Sequence, residues 1–321
     1  MMRASILIAA AMLASPVAAW AGPTNCAQFE ILNQGIQRTY NPFSPSEYVD
    51  VFTLRVLRTD PNVSSVRFLL VDSTGRNGAP KFGTDGPDLY TIDWLEDRGR
   101  RVFVTTAESV TDLNSARVGF ARARDMSETV FRLSIGRGQQ AYAGRYAERL
   151  VVRYQCYAGS DLFGTQQEQY NGQTELAVTV PRIVSAYVGG TGQQRGEIAF
   201  GELGNGAALV RNASVTALST LPYAVDIATD NGQRLRRGRD QTGAIGYRLK
   251  YAGITVPGAT TIACPVTQMP VGDVKLVEVA LDPAAVASQP AGDYSDTITL
   301  TFRPSDGYAG STCTATTATA P

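Results

Sequence analysis

Histidine is missing from this chain of 321 residues. Its absence removes the commonest general base and the commonest neutral metal ligand together. No excess of either charge is present: 29 basic residues face 29 acidic ones, so no global field draws in nucleic acid or an acidic surface. Long apolar runs are also lacking. The longest, Ile6 to Ala14, falls well short of the ~20 residues a membrane-spanning helix needs, and Pro16 stops it. With Arg3 before it and the small-x-small site Ala19-Trp20-Ala21 after it, residues 1–21 read as a secretory signal peptide. No Ser-x-x-Lys motif, G-x-S-x-G elbow, HExxH or phosphate loop occurs. The expectation is an exported protein that is not an enzyme, with no catalytic residue, no metal site and no cofactor. A hydrolase built on paired carboxylates is the enzymatic alternative.

Cysteine is sparse, but its count is even: Cys26, Cys156, Cys264 and Cys313. In an exported chain that pattern reads as disulfides, and four cysteines allow three pairings. None of the spacings is C-x-x-C, which argues against zinc or redox chemistry. If the chain divides near residue 180, the pairing within each half is Cys26–Cys156 and Cys264–Cys313.

What is abundant is alternation with period two. Phe52, Leu54 and Val56 point one way; so do Val66, Phe68 and Leu70, then Tyr90, Ile92 and Trp94. Tyr223, Val225 and Ile227 repeat the pattern in the second half, as do Tyr247, Leu249 and Tyr251. Turn residues separate these runs: DPN at Asp60, STGRNG at Ser73, DNG at Asp230. Many short alternating strands with Gly/Pro/Asn turns indicate antiparallel all-β sandwiches with little helix. About 300 residues after the signal peptide suit two units of ~150 each, placed at 22–180 and 181–321.

The chain also repeats itself. AGRYAERLVVRY, from Ala143 to Tyr154, returns 148 residues later as AGDYSDTITLTF, from Ala291 to Phe302. At this shift Gly144 falls on Gly292, Tyr146 on Tyr294, Leu150 on Ile298, Val152 on Leu300, Tyr154 on Phe302, Phe131 on Val279 and Leu133 on Leu281. VRFLLVD corresponds more loosely to YAVDIATDNG, and LYTIDW to IGYRLKY. The expectation is one sandwich unit used twice.

The copies end differently. After the first comes a loop, then Asn171-Gly172, a strong two-residue hairpin signal, and the apolar alternation Leu176, Val178, Val180, which can close the first sheet. After the second comes only the polar tail RPSDGYAGSTCTATTATAP, whose evident duty is to bring Cys313 to Cys264. The second sandwich is therefore expected to lack its final strand, an edge that another chain must fill.

At these residues the second half, through Phe200-Gly201, Pro222-Tyr223, Gly246-Tyr247 and Gly292-x-Tyr294-x-Asp296, resembles the spore coat protein U domain. That is the immunoglobulin-like pilin module of archaic, Csu-type chaperone–usher pili. The first half resembles it through YNPFS at Tyr40 and the Gly144-x-Tyr146 corner, but has Ala147 and Glu148 where the second copy has Ser295 and Asp296. The resemblance implies a secreted pilus subunit with a donor-strand groove at Val279, Leu281, Tyr294, Ile298, Leu300 and Phe302. Its implied partners are a periplasmic chaperone, an outer-membrane usher and a neighbouring pilin that donates a strand, with no nucleic acid. Only Gly22 to Asn25 separate the signal peptide from Cys26, too few to serve as a donor strand, which matches the family's two-domain tip adhesin, mediating attachment and biofilm formation. A secreted coat or matrix protein outside any fibre is the alternative. An adhesin would carry its contacts on first-half loops at the end far from the second half, for which Thr39–Tyr48, Ser73–Asp88 and Tyr157–Gly164 are candidates. Their Phe43, Phe82 and Phe163 are candidate apolar tips for an unidentified surface, the alternative for each being that it folds back to cover the core. The basic run from Arg234 to Arg239, flanked by Asp230 and Asp240, reads as a solvated loop.

Overall fold

The computed structural model describes residues 25–316 except 33, 35–37, 73–80, 83–86, 88, 107, 204–208, 239–242 and 269. The segment expected to be a signal peptide (residues 1–21), the STGRNG stretch and Arg239–Asp240 lie outside the described residues. The chain is all-β. Its first half forms β1 (Ala27–Ile31), β2 (Tyr48–Arg58), β3 (Ser65–Asp72), β4 (Tyr90–Trp94) and β5 (Phe103–Val104). It continues with β6 (Ala116–Gly119), β7 (Met126–Ile135), β8 (Gly144–Ala158), β9 (Asp161–Gln169) and β10 (Glu175–Val180). The second half forms β11 (Val184–Val188), β12 (Val210–Ser219), β13 (Tyr223–Thr229), β14 (Arg234–Arg237), β15 (Ala244–Tyr251) and β16 (Ile254–Val256). Then come β17 (Thr260–Cys264), β18 (Asp273–Leu281), the short helix α1 (Pro283–Ser288), β19 (Tyr294–Ser295), β20 (Ile298–Pro304) and β21 (Thr314–Thr316). Asp282 caps α1 through the Ala284 N–H.

Each half packs one sheet against another. In the first, β1-β2-β7-β4 faces β10-β8-β3-β5, with β6 on β3 and β9 on β8. In the second, β11-β12-β18-β15-β14-β19 faces β20-β13-β17-β21. Period-two alternation puts every second side chain between the sheets. Phe52, Leu54, Val66, Phe68, Tyr90, Leu150 and Val152 are buried in one apolar cluster, and Val225, Ile227, Tyr247, Leu249, Val277 and Val279 in another. The first half also has a third layer: Val104 and Val110, from the stretch before β6, cover Leu69 and Val71 on the outer face of β3.

The 148-residue repeat is reproduced strand by strand. Strand β8 pairs β3 as β20 pairs β13, with Val152 opposite Leu70 and Leu300 opposite Ile227. Strand β7 pairs β4 as β18 pairs β15, with Leu133 opposite Ile92 and Leu281 opposite Tyr247. The shared tyrosine does the same job twice. Tyr146 donates to the Tyr142 carbonyl at 2.8 Å and Tyr294 to the Pro290 carbonyl at 2.8 Å, each four residues back. The glycine before it is needed in the second copy: at Gly292, φ is 158° and a Cβ would lie 2.5 Å from Arg237 Nε.

Disulfides join Cys26 to Cys156 and Cys264 to Cys313. Between the halves, Pro181–Ile183 connect β10 to β11, and Thr220 gathers the chain around them. Its carbonyl accepts from Ala143 N–H at 2.7 Å, and its hydroxyl donates to the Pro181 carbonyl at 2.7 Å and accepts from Ile183 N–H at 2.9 Å. Gly138 lies against Pro270, where a Cβ would sit 2.7 Å from the proline ring.

Two sequence expectations are corrected. Asn171-Gly172 does not make a two-residue hairpin. Asn171 instead caps a 3₁₀ turn, Gly172–Thr174, by accepting from Gln173 N–H at 2.9 Å. That turn lets β9 and β10 follow one another along the same edge of β8. The polar tail does form a strand, β21, but on the far side of β17, with Ala315 opposite Ile262.

Candidate functional site

The two repeats differ most at the outer edge of the sheet that carries the AG-x-Y strand. Strand β8 is paired along both sides, by β3 on one and by β9 and β10 on the other. Its inward residues Leu150, Val152 and Tyr154 are all 0% exposed. Strand β20 pairs β13 from Thr229–Ile298 to Tyr223–Pro304 and, among the described residues, has no partner on its other side. Its inward residues Ile298, Leu300 and Phe302 are only half-buried. The repeat thus supplies its own control: equivalent positions are sealed where a strand lies alongside and left part-open where none does.

The opposite wall of this edge also has a counterpart. In the first half, the residues after β1 return to hold the closing strand. Thr179 N–H donates to the Arg38 carbonyl at 2.7 Å, and Tyr40 N–H to the Thr179 carbonyl at 2.9 Å. Residues 197–203 follow β11 in the same way and hold Ile198, Phe200 and Leu203 half-buried against the second core. Val184, Ala186 and Val188 of β11 continue that wall. Among the described residues, no strand stands beside β20 as β10 stands beside β8.

All six residues assigned to a groove by sequence join one cluster, in different roles. Val279 and Leu281 are buried on β18 in the facing sheet, while Ile298, Leu300 and Phe302 of β20 are half-buried. Tyr294 holds the corner. Asp296 is a brace: its carboxylate accepts from Asn231 N–H at 3.0 Å and from the Tyr247 hydroxyl at 2.7 Å. Burial, and then that hydrogen bond to a carboxylate, push the Tyr247 hydroxyl far above its ordinary range. On the solvent face Arg303 of β20 grips Asp226 of β13 at 2.7 Å and holds that carboxyl below its usual range.

The candidate apolar tips of the first half need correction. Phe82 is fully buried, its ring 4.4 Å from that of Tyr90. Phe163 lies on β9 opposite Cys156 and packs on the core, half-buried. Phe43 is half-buried, its N–H held by Asn41 Oδ1 at 3.0 Å. One candidate loop, Thr39–Tyr48, is also at the near end. Tyr48 pairs with Ile135, and Asp72 pairs with Leu150 near the start of β8. Thr39–Tyr48 therefore flanks residues 136–144, which touch the second half. Most of Ser73–Asp88 lies outside the described residues. Tyr157–Gly164 lies at the far end. There sequence reasoning passed over exposed Leu162 and the arginines around Tyr157, because no local pattern connects residues on four different strands.

No protein family of known sequence matches the chain, and no curated protein does. Among solved structures it is similar to the CsuC–CsuE chaperone–tip adhesion subunit pre-assembly complex from archaic chaperone–usher Csu pili of Acinetobacter baumannii. That match has 12% identity and TM-score 0.38, over 86% of this chain and 99% of that one. It is also similar to CfaE, the adhesive subunit of CFA/I fimbria of enterotoxigenic Escherichia coli, at 13% identity and TM-score 0.40, over 87% and 95% of the two chains. The CupB6 tip adhesin of Pseudomonas aeruginosa matches at 10% identity and TM-score 0.39, over 88% and 96%.

Proposed function

We propose that this chain is an exported pilus subunit of the tip-adhesin kind. Its second sandwich is completed by a strand from another polypeptide, and its first sandwich attaches the fibre to a surface. One observation carries the reading: among the described residues the outer edge of β20 is unpaired, and its three inward apolar side chains are half-buried, where the same positions of β8 are sealed. An exposed, apolar sheet edge is an aggregation hazard unless it is covered. A chaperone strand covers it before assembly and a neighbouring pilin strand afterwards, with the usher passing the subunit from one to the other. The first sandwich already closes itself with β9 and β10, which frees it for attachment.

The test is a thermal melt of the mature chain with a synthetic peptide from the donor segment of a neighbouring pilin. A ligand at 100 times its Kd stabilises by about 2.7 kcal/mol, and a unit of this size then melts about 10 °C higher. The expected result is that rise, confined to the second sandwich. No shift at saturating peptide refutes the incomplete-sandwich reading. Co-purification with a chaperone from the exporting cell separates a fibre subunit from a coat protein.

A further inference from the structure

On the outer face of the first sandwich, at the end remote from residues 136–144, charge of one sign is gathered in a way the fold itself does not favour. Arg67 of β3 stands directly opposite Arg117 of β6, an arrangement that costs stability on a sheet. Both guanidiniums lie against the ring of Tyr157 on β8, at 5.1 and 5.9 Å from its centroid, and the ring holds them in place. Their neutralisation is unequal. Arg67 forms an ion pair with Asp112. Arg117 is exposed, donates one side-chain hydrogen bond, to Ser65 Oγ at 3.2 Å, and has no carboxylate partner among the described residues.

The surroundings leave room for a ligand. Gly119 is paired with Ser65, and a Cβ there would meet nothing nearer than the Ser64 carbonyl at 4.0 Å. The floor beside Arg117 is therefore open. The turn that follows, with Ala123 at φ 66°, presents exposed Arg122 and Arg124, again with no carboxylate partner among the described residues. Leu162, exposed, lies opposite Tyr157 on β9.

We propose that this face binds an acidic glycan, one whose sugars carry carboxylate or sulfate groups, and this rests on reading the first sandwich as the attachment unit. The Arg117 guanidinium is preoriented and offers the planar fork that such groups accept in bidentate fashion. Asp60, Asp112, Asp125 and Asp161 stand at the same end. A continuous phosphate backbone, with its dense uniform charge, meets these carboxylates as repulsion. A glycan with spaced anions places hydroxyl groups there as donors instead.

The experiment measures binding of the mature full chain to immobilised hyaluronan, which carries carboxylates, and to dextran sulfate, with neutral dextran as control. Binding to at least one acidic glycan and none to dextran is expected, and the tighter of the two identifies the anion. Arg117→Gln weakens it by about tenfold to a hundredfold, the cost of a charged hydrogen-bond partner, with Arg117→Lys between. The double variant Arg122→Gln/Arg124→Gln, on a solvent-exposed turn, weakens it as well and serves if Arg117→Gln unfolds. Unchanged affinity in these variants, no glycan binding, or equally tight binding to duplex DNA or phosphatidylserine vesicles overturns the proposal. Stabilisation by the donor-strand peptide is unaffected by any of these substitutions, so the two readings fail separately.

Discussion

The same substitution, Leu→Ala, is available on both copies of the repeated strand and has unequal consequences. Leu150 on β8 is 0% exposed, held between two sheets and flanked by strands on both sides. Removing a fully buried leucine costs about 2.7–5 kcal/mol, from lost transfer energy and the cavity left behind. Leu300 on β20 is half-buried beside an unpaired edge, so much of its surface already meets water and the void opens to solvent. About 1 kcal/mol is the expected loss. The assay is urea denaturation of the mature chain. Of the chain's two tryptophans, Trp20 falls in the segment read from sequence as a signal peptide, and Trp94, in the first core, reports the first sandwich. With m near 2 kcal/mol/M, Leu150→Ala moves the Trp94 midpoint down by about 1.5–2.5 M. Leu300→Ala leaves that midpoint in place and lowers the second transition, followed by circular dichroism, by about 0.5 M. With saturating donor peptide, Leu300 becomes enclosed and the same substitution costs at least twice as much. Equal losses at both positions in the free chain, with no added loss on peptide binding, would refute the claim that β20 borders a vacant slot.

Three further outcomes follow from other features. Replacing Cys264 and Cys313 with alanine, a pair 49 residues apart, removes up to about 4 kcal/mol in the chain-entropy model; the second transition falls in a thermal melt while the Trp94 signal stays put. Tyr90→Phe deletes the hydroxyl that donates to buried Asp72 at 3.0 Å and destabilises the first sandwich by about 1–3 kcal/mol, read by Trp94 fluorescence; a loss below a few tenths of that contradicts the buried bond. Burial pushes the hydroxyls of Tyr154 and Tyr223 up to about 12, above the ordinary tyrosine value near 10. The neutral form is favoured in the folded state, so this stabilisation is full below pH ~10 and is lost as pH rises towards ~12. Tyrosinate absorbance should therefore lag and then climb together with unfolding, and smooth ionisation of every tyrosine near pH ~10 without unfolding contradicts it.

Much of the fold was legible because alternation is a direct imprint of the pleat. Phe52, Phe68, Tyr90, Val225 and Leu249 each announce a strand and its inward face. Strand β9 announces nothing: beyond Leu162 and Phe163 its sequence, DLFGTQQEQ, is polar and has no apolar alternation. It pairs with β8 through its backbone, and its glutamine side chains tie it to the chain at β1 in the facing sheet. Gln169 both accepts from and donates to the main chain of Phe29, at 2.9 and 2.7 Å, and Gln167 accepts from Cys26 N–H at 3.0 Å. Side-chain stitching of this kind has no period. Phe82 misled for the opposite reason, since its flanks look like an exposed turn while the ring that receives it belongs to Tyr90 on the next strand. The open edge of β20 was legible only by comparing two copies, because a missing strand leaves no residues of its own to read.

The three-residue connection at Pro181–Ile183, tied to Thr220, has a mechanical consequence. Thr220 stands three residues before Tyr223, where β13 begins, and β13 is bound to β20 by seven consecutive residue pairs. Tension on an attached first sandwich passes through this knot and reaches that ladder almost at once, with little slack to absorb it. Whatever strand lies along β20 is then anchored to the member under load, and the anchorage of a subunit and its resistance to a pull become properties of the same few hydrogen bonds.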